Sequence, residues 1–309
     1  MINWQHFTVS GIAIFILSMA IISCSSKQKQ TEADYAKEIN DWHQLRINNL
    51  LGPEDWLKLA GLYELEEGQH SFGSDSTNDL IFPPMAAPTI GTINKEDTTV
   101  TVQVDDDVVV THKQDTVSKV TMIPGNARSG TVLKHGSLVW YLLERRGDYY
   151  IRLVDEQHPN LAAFDGIERF PIDQKWKIKA KFKPFKSPKP ITVPDILNEG
   201  MQDTLHGMLE FSFKGEKYSL APLNHPEKDD KFFIIFGDKT NGESTYGGGR
   251  YIYIPTPNEN NTTYIDFNKA YNPPCVFTDF ATCPLPPSQN KLPIGIPAGE
   301  KMYKDTQTY

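Results

Sequence analysis

The densest group of chemically able side chains lies between Asp238 and Arg250. Asp238 follows an apolar run, Phe232-Phe233-Ile234-Ile235-Phe236; Thr240, Glu243 and Tyr246 come next, then Gly247-Gly248-Gly249 and Arg250. The glycines let backbone approach a ligand closely. The guanidinium can offer a bidentate fork to a ligand carboxylate or phosphate. It can equally be neutralised by Asp238, which would pin a hairpin and leave the glycines to satisfy a turn. A second dense string runs Asp266-Phe267-Asn268-Lys269-Ala270-Tyr271-Asn272 ahead of Pro273-Pro274. Its acid, amides and phenol suit a polyol or amide pocket. They also suit an ordered loop in which side chains replace missing backbone partners. The candidate ligand-binding residues are therefore Asp238, Tyr246, Arg250, Asp266, Asn268, Tyr271 and Asn272. Were Asp238 to meet Asp266 or Glu243 in one pocket, the paired carboxylates could carry out hydrolysis. No catalytic residue is assigned.

Other signatures are missing. The chain has no H-E-x-x-H, G-x-S-x-G or Walker A string, and its 8 His stand singly. No cofactor and no metal site are expected. Cys275 and Cys283 are separated too widely for a redox C-x-x-C and lack evident zinc partners. In an oxidising compartment they would form a disulfide contributing roughly 2.5 kcal/mol; two buried thiols are the main alternative.

The compartment is read from the N-terminus. Val9 to Ile22 is uncharged and shorter than the roughly 20 residues of a membrane span, which suits a signal-peptide apolar region. It runs into Ile21-Ile22-Ser23-Cys24, which resembles a bacterial lipobox whose cysteine is lipidated and becomes the new N-terminus. The expected organisation is a lipoprotein signal peptide over 1–23, a polar tether over 24–32, and a body anchored by lipid outside the cytoplasm, in a bacterial cell envelope.

The elements that position the candidate groups are mostly strands. One helix is expected over 33–52, with Tyr35, Ile39, Trp42 and Leu45 on one stripe. Ser137 to Glu144 and Tyr149 to Val154 flank Arg145-Arg146-Gly147-Asp148 as a hairpin. From Trp176 to Phe182, apolar residues alternate with Lys175, Lys177, Lys179, Lys181 and Lys183; period two puts the lysines on one face and Trp176, Ile178, Ala180 and Phe182 on the other. Residues 184–195, with four prolines, read as a linker or rigid crossover. The fold class is mainly β: two β-rich halves, sandwich or barrel-like, over 53–190 and 191–309, with the candidate site in the second.

Two stretches carry a resemblance. Phe232 to Lys301 and Asp55 to Pro83 (DWLKLAGLYELEEGQHSFGSDSTNDLIFP) are similar to the bacterial family of domains of unknown function numbered 1684. The resemblance implies a family and no established chemistry. Within it, Glu67-Gly68, Phe72-Gly73 and Asn78-Asp79-Leu80 resemble the opening strands of a forkhead-associated domain. Ser74 stands where that fold carries its phosphate-binding Arg, so the likeness implies only the start of a β-sandwich.

Composition narrows the partners. A net charge of -8 with no concentrated basic domain argues against nucleic acid. The expectation is an extracytoplasmic small-molecule or glycan binding module. A hydrolase with paired carboxylates and a structural envelope protein without ligand are the alternatives.

Overall fold

The computed structural model describes residues 30–52, 56–145, 147–196, 200–224 and 230–304. The signal peptide and Cys24 lie outside the described residues.

The helix α1 spans Glu32–Leu50. Thr31 caps it by accepting the Asp34 amide, and Glu32 and Asp34 place acid in the first turn, which favours the positive end of the helix dipole. Tyr35, Ile39 and Leu50 are buried, but Leu45 is 58% exposed, so the buried stripe is narrower than the sequence pattern. None of the described helices is long and apolar enough to cross a membrane.

The first half begins with β1 (Leu59–Leu65), β2 (Gly68–Gly73), β3 (Leu80–Ile81), β4 (Gly91–Glu96) and β5 (Thr99–Val104). It continues with β6 (Thr111–His112), β7 (Asp115–Thr116), β8 (Lys119–Met122), β9 (Val132–His135), β10 (Leu138–Arg145) and β11 (Asp148–Asp155). One sheet has the order β1-β11-β10-β9-β6-β7 and the other β3-β2-β4-β5-β8. Period-two residues from both, among them Ile93, Val102, Trp140, Leu142 and Ile151, bury one shared core. The expected β10–β11 hairpin is present, with Arg145 opposite Asp148.

A short helix, α2 (Pro159–Ala162), leads towards the second half. There β12 (Lys177–Val193), β13 (Met201–Phe213), β14 (Glu216–Leu220) and β17 (Thr262–Asp266) form a sheet ordered β14-β13-β12-β17. A hairpin, β15 (Lys231–Phe236) with β16 (Arg250–Pro255), packs over it. The fold is thus mainly β, as the patterning implies.

Two details differ from the sequence reading. Residues 184–193 are strand, not linker: β12 pairs with β13 from Ala180 to Val193, with an irregularity between Pro184 and Lys189. Proline is tolerated because β17 pairs only with Lys177 to Lys181; beyond that β12 has one neighbour, and a strand edge has no use for the missing N–H. Consequently residue 190 falls inside a strand, and the chain passes between the two cores earlier, between Asp155 and Trp176. Trp176 itself closes a 3-10 turn over Gln174–Trp176 instead of opening the strand.

The lysine alternation is as expected: Ile178, Ala180 and Phe182 are buried while Lys179, Lys181 and Lys183 are exposed. Trp176 stacks on Phe213 with ring centroids 4.8 Å apart. Trp176→Ala is expected to destabilise the protein by about 3–5 kcal/mol in urea unfolding. A loss under about 1 kcal/mol would show that the ring is not part of this core.

Candidate functional site

The β15–β16 hairpin places Phe236 opposite Arg250, so Asp238 and Arg250 meet at one sheet end. Their ion pair is 2.8 Å long and both side chains are fully buried. Arg250 Nη2 donates to Asp238 Oδ2 and to the Ile296 carbonyl, both at 2.8 Å. Its Nη1 donates to the carbonyls of Ala298 and Glu300. The guanidinium lies 5.3 Å over the Phe236 ring. Asp238 Oδ1 accepts the Thr240 amide and hydroxyl and the Ile296 amide. Burial pulls the Arg250 pKa down and Asp238 pulls it back up. No Nη donor is left facing a cleft: Arg250 ties the hairpin to the segment 296–300. The ligand-contact role expected of Arg250 gives way to a structural one, because buried cations need compensation from every side.

The second polar string serves α1. Tyr35 donates to Asp266 Oδ1 at 2.8 Å, and Asn268 Nδ2 donates to the Tyr35 hydroxyl at 2.8 Å. Asn268 also bonds the backbone of Asp173. Arg46 of α1 lies over Tyr271, 4.8 Å from its ring centroid, and donates to the Asn272 carbonyl. Its Nε reaches Glu300, whose carboxylate also accepts the Asn272 amide at 2.7 Å. Glu300 is completely buried, and desolvation raises its pKa against the pull of Arg46. Asp266, Asn268, Tyr271 and Asn272 therefore form the socket of the helix. They are brought together with one another, but not into one pocket with Asp238.

Tyr246 is 1% exposed, with its hydroxyl 3.7 Å from Cys275 Sγ. Cys275 and Cys283 are free thiols that hydrogen-bond each other. The Cys275 amide also donates to Cys283 Sγ at 3.0 Å. These bonds lower the Cys275 pKa, Cys283 first and Tyr246 second, whereas the neighbouring sulfur and burial raise that of Cys283.

What remains open is a cleft of about 720 Å³ beside the glycine turn. Gly247, Gly248, Asn241, Asp195, Lys239 and Lys291 contribute to its walls, with Leu285 and Pro286. Both lysines are exposed. The amides of Gly247 and Gly248 donate to no group among the described residues. Gly249 has φ +87° and a Cβ there would fall 2.4 Å from Pro286 Cγ, so turn and wall both require glycine. Asn241 is spent on the loop itself, bonding Thr245 and the Tyr246 carbonyl. Sequence reasoning missed Glu300, Arg46 and the buried Asn290, which satisfies backbone of Ala221 and Ile235; each is an isolated residue without local pattern. Lys239 and Lys291 belong to no motif either. Among the described residues no group of three or more His, Cys, Asp or Glu is placed to hold a metal ion.

Comparison with known proteins gives one family match, over part of the chain. Residues 162–301 match the family model described as a protein of unknown function, DUF1684. The DUF1684 region takes in the lysine strand, the Arg250 tie, the thiol pair and the cleft. The resemblance seen at Asp55 to Pro83 falls outside the matched residues. A solution structure of an uncharacterized protein from gene locus rrnAC0354 of Haloarcula marismortui is 27% identical, with a TM-score of 0.39, over 47% of this chain and 80% of that one. No curated protein matches.

The helix socket carries a pH signature. His43 on α1 has its ring hydrogen-bonded to the Ile167 carbonyl, while its Nδ1 is buried without a partner. Burial first, then the nearby Arg169 and Arg46, lower its pKa below 6.5. The unfolded chain therefore takes up the proton at higher pH than the folded one, so stability falls as pH drops below about 6.5. Melting temperatures between pH 8 and 5 are expected to decline in the wild type and to decline less in His43→Leu. An equal decline in both would assign the effect to other groups.

Proposed function

We propose that this protein is an extracytoplasmic lipoprotein whose DUF1684 region binds a small polar molecule, a sugar or an organic anion, in the cleft beside Gly247 and Gly248. The observation that carries the reading is a cleft of about 720 Å³ lined by Gly247 and Gly248, whose amides donate to no group among the described residues, and by Lys239 and Lys291. Amides and ammonium groups are donors, so the complement is an acceptor-rich ligand such as a carboxylate, phosphate or polyol. The volume lies in the usual range for small-molecule sites. A hydrolytic reading draws no support from the carboxylates, since Asp238 is bound to Arg250 and Asp266 to Tyr35.

The test is thermal stabilisation across a panel of sugars, organic acids and phosphates. At least one compound is expected to raise the melting temperature, and Lys239→Ala with Lys291→Ala to weaken its binding by about tenfold, as losing one charge-assisted bond implies. Hits unaffected by the double variant would place the ligand elsewhere; the absence of any hit would remove the binding reading.

The lipidated Cys24 and a closed Cys275–Cys283 disulfide are part of the same proposal. The two thiols hydrogen-bond each other, and a disulfide-bearing oxidant in that compartment would take up their two electrons and two protons as the bond closes. Intact mass of native material is expected to show a chain beginning at a lipidated Cys24. Alkylation without reductant is expected to leave Cys275 and Cys283 unlabelled. An unmodified Cys24 or two labelled thiols would contradict the corresponding part.

A further inference from the structure

The cleft beside the glycine turn does not end at its own walls. Lys291 and Leu292, which line it, also line a neighbouring pocket of about 430 Å³, and Lys239 lines a further one of about 470 Å³. Those two pockets meet at Tyr218 and Pro293, which border both. Together they make a trough along β14. That strand ends the order β14-β13-β12-β17, so its outer edge pairs with no strand among the described residues. The opposite wall is the segment 289–293. Asn290 ties that segment to the end of β14 by exchanging hydrogen bonds with the Ala221 amide and carbonyl. On its other side Gly237 bridges Lys291, and the Lys239 amide donates to the Ile294 carbonyl at 3.0 Å. Both walls are thus held in place by the protein itself.

The trough is long, and its chemistry repeats along it. Glu216 to Ser219 alone runs about 10 Å at the rise of a strand, more than one sugar ring occupies. Tyr218 is half-buried and packs on Phe211 with ring centroids 5.7 Å apart. Its hydroxyl makes no hydrogen bond among the described residues. Exposed lysines stand along the trough instead of at one point: Lys291 where it meets the cleft, Lys217 beside Tyr218, and Lys214 and Lys239 beyond. None of the four makes an ion pair among the described residues. Glu216, at the start of β14, lines the trough as well. A strand edge that carries lysines resists the addition of another strand, which argues against an extended peptide as the occupant.

We propose that the cleft and this trough together hold a linear acidic oligosaccharide, a chain with a carboxylate on each sugar. The inference rests on the reading of the cleft as a site for a polar ligand, and it names that ligand. One sugar sits at Gly247 and Gly248, and further sugars continue past Lys291 into the trough. There the apolar faces of the rings pack on Tyr218 and Pro293. Sugar hydroxyls meet the Tyr218 hydroxyl, and the carboxylates meet the spaced lysines. A single small anion would use one lysine and leave the rest of the trough empty.

The probe is tetragalacturonate, titrated into the full chain by calorimetry at low salt. Galacturonate fills the cleft alone, cellotetraose supplies length without charge, and hexaglutamate supplies charge without sugar. Tetragalacturonate is expected to bind at least about tenfold more tightly than each of them, a factor that one charge-assisted hydrogen bond supplies. Lys217→Ala, at an exposed position, and Tyr218→Ala change residues that line the trough and not the cleft. Each is expected to weaken tetragalacturonate by about tenfold and to leave galacturonate binding unchanged. Should Tyr218→Ala fail to fold, Lys217→Ala and the ligand comparison on the wild type decide. Equal binding of galacturonate and tetragalacturonate would remove the trough and leave the cleft standing. Cellotetraose equal to tetragalacturonate would remove the lysines from recognition, and hexaglutamate equal to it would mean charge attraction and no sugar site. Tetragalacturonate binding that survives Lys239→Ala with Lys291→Ala unchanged would overturn the inference and the cleft reading together. If neither galacturonate nor tetragalacturonate binds, the inference fails; a different ligand whose binding depends on Lys239 and Lys291 would then show the cleft reading intact.

Discussion

The second half of this protein is organised around one buried cation. Arg250 sits at the end of the β15–β16 hairpin with no exposure at all. A guanidinium so placed must have its charge answered. Asp238 answers the charge, and with the carbonyls of Ile296, Ala298 and Glu300 it takes the Nη donors, while Nε is buried without a partner. That demand fixes the path of residues 296–300 against the sheet. Once Glu300 is fixed, its carboxylate is buried too, and Arg46 of α1 reaches in to meet it. The helix is thereby held to the far end of the chain by a relay of charges, with Tyr35, Asp266 and Asn268 forming a parallel neutral lock.

This relay explains why so much polar sequence yields so little open site. Asp266, Asn268 and Asn272 are spent on joining α1 to segments more than 200 positions away, and Asp238 and Arg250 on joining the hairpin to residues 296–300. What stays available is what the relay does not use: the glycine turn it positions, with its unspent amides, and the lysines beside it. The thiol pair lies behind that turn, linked to it through Tyr246, so the wall of the cleft and the cysteines share one rigid support.

Much of the fold is legible in the chain because one-sided burial leaves a period-two signature. The alternating lysines before Phe182, and the Arg145–Asp148 turn, specify strand and register by themselves. The pairing of Asp238 with Arg250 is legible as well, since a hairpin must bring its ends together. The proline-rich stretch misleads because proline's exclusion from sheets depends on whether a neighbour needs its N–H, and only the strand order tells that. The Asp266–Asn272 string misleads for a different reason. Its partners, Tyr35 and Arg46, come from a helix whose docking surface no local pattern announces. Local chemistry shows which groups want partners; only topology shows whether the partner is a ligand or the chain itself.

The account rests on Arg250 and Asp238 forming an internal tie, and a double-mutant cycle measures it. Arg250→Met and Asp238→Leu are compared singly and together by urea unfolding. Each single change leaves one buried charge unanswered and is expected to cost about 3–5 kcal/mol. The double change removes both charges and is expected to cost several kcal/mol less than the two losses combined. Strictly additive losses, or single variants close to wild-type stability, would mean that the two side chains do not depend on each other and would contradict the account.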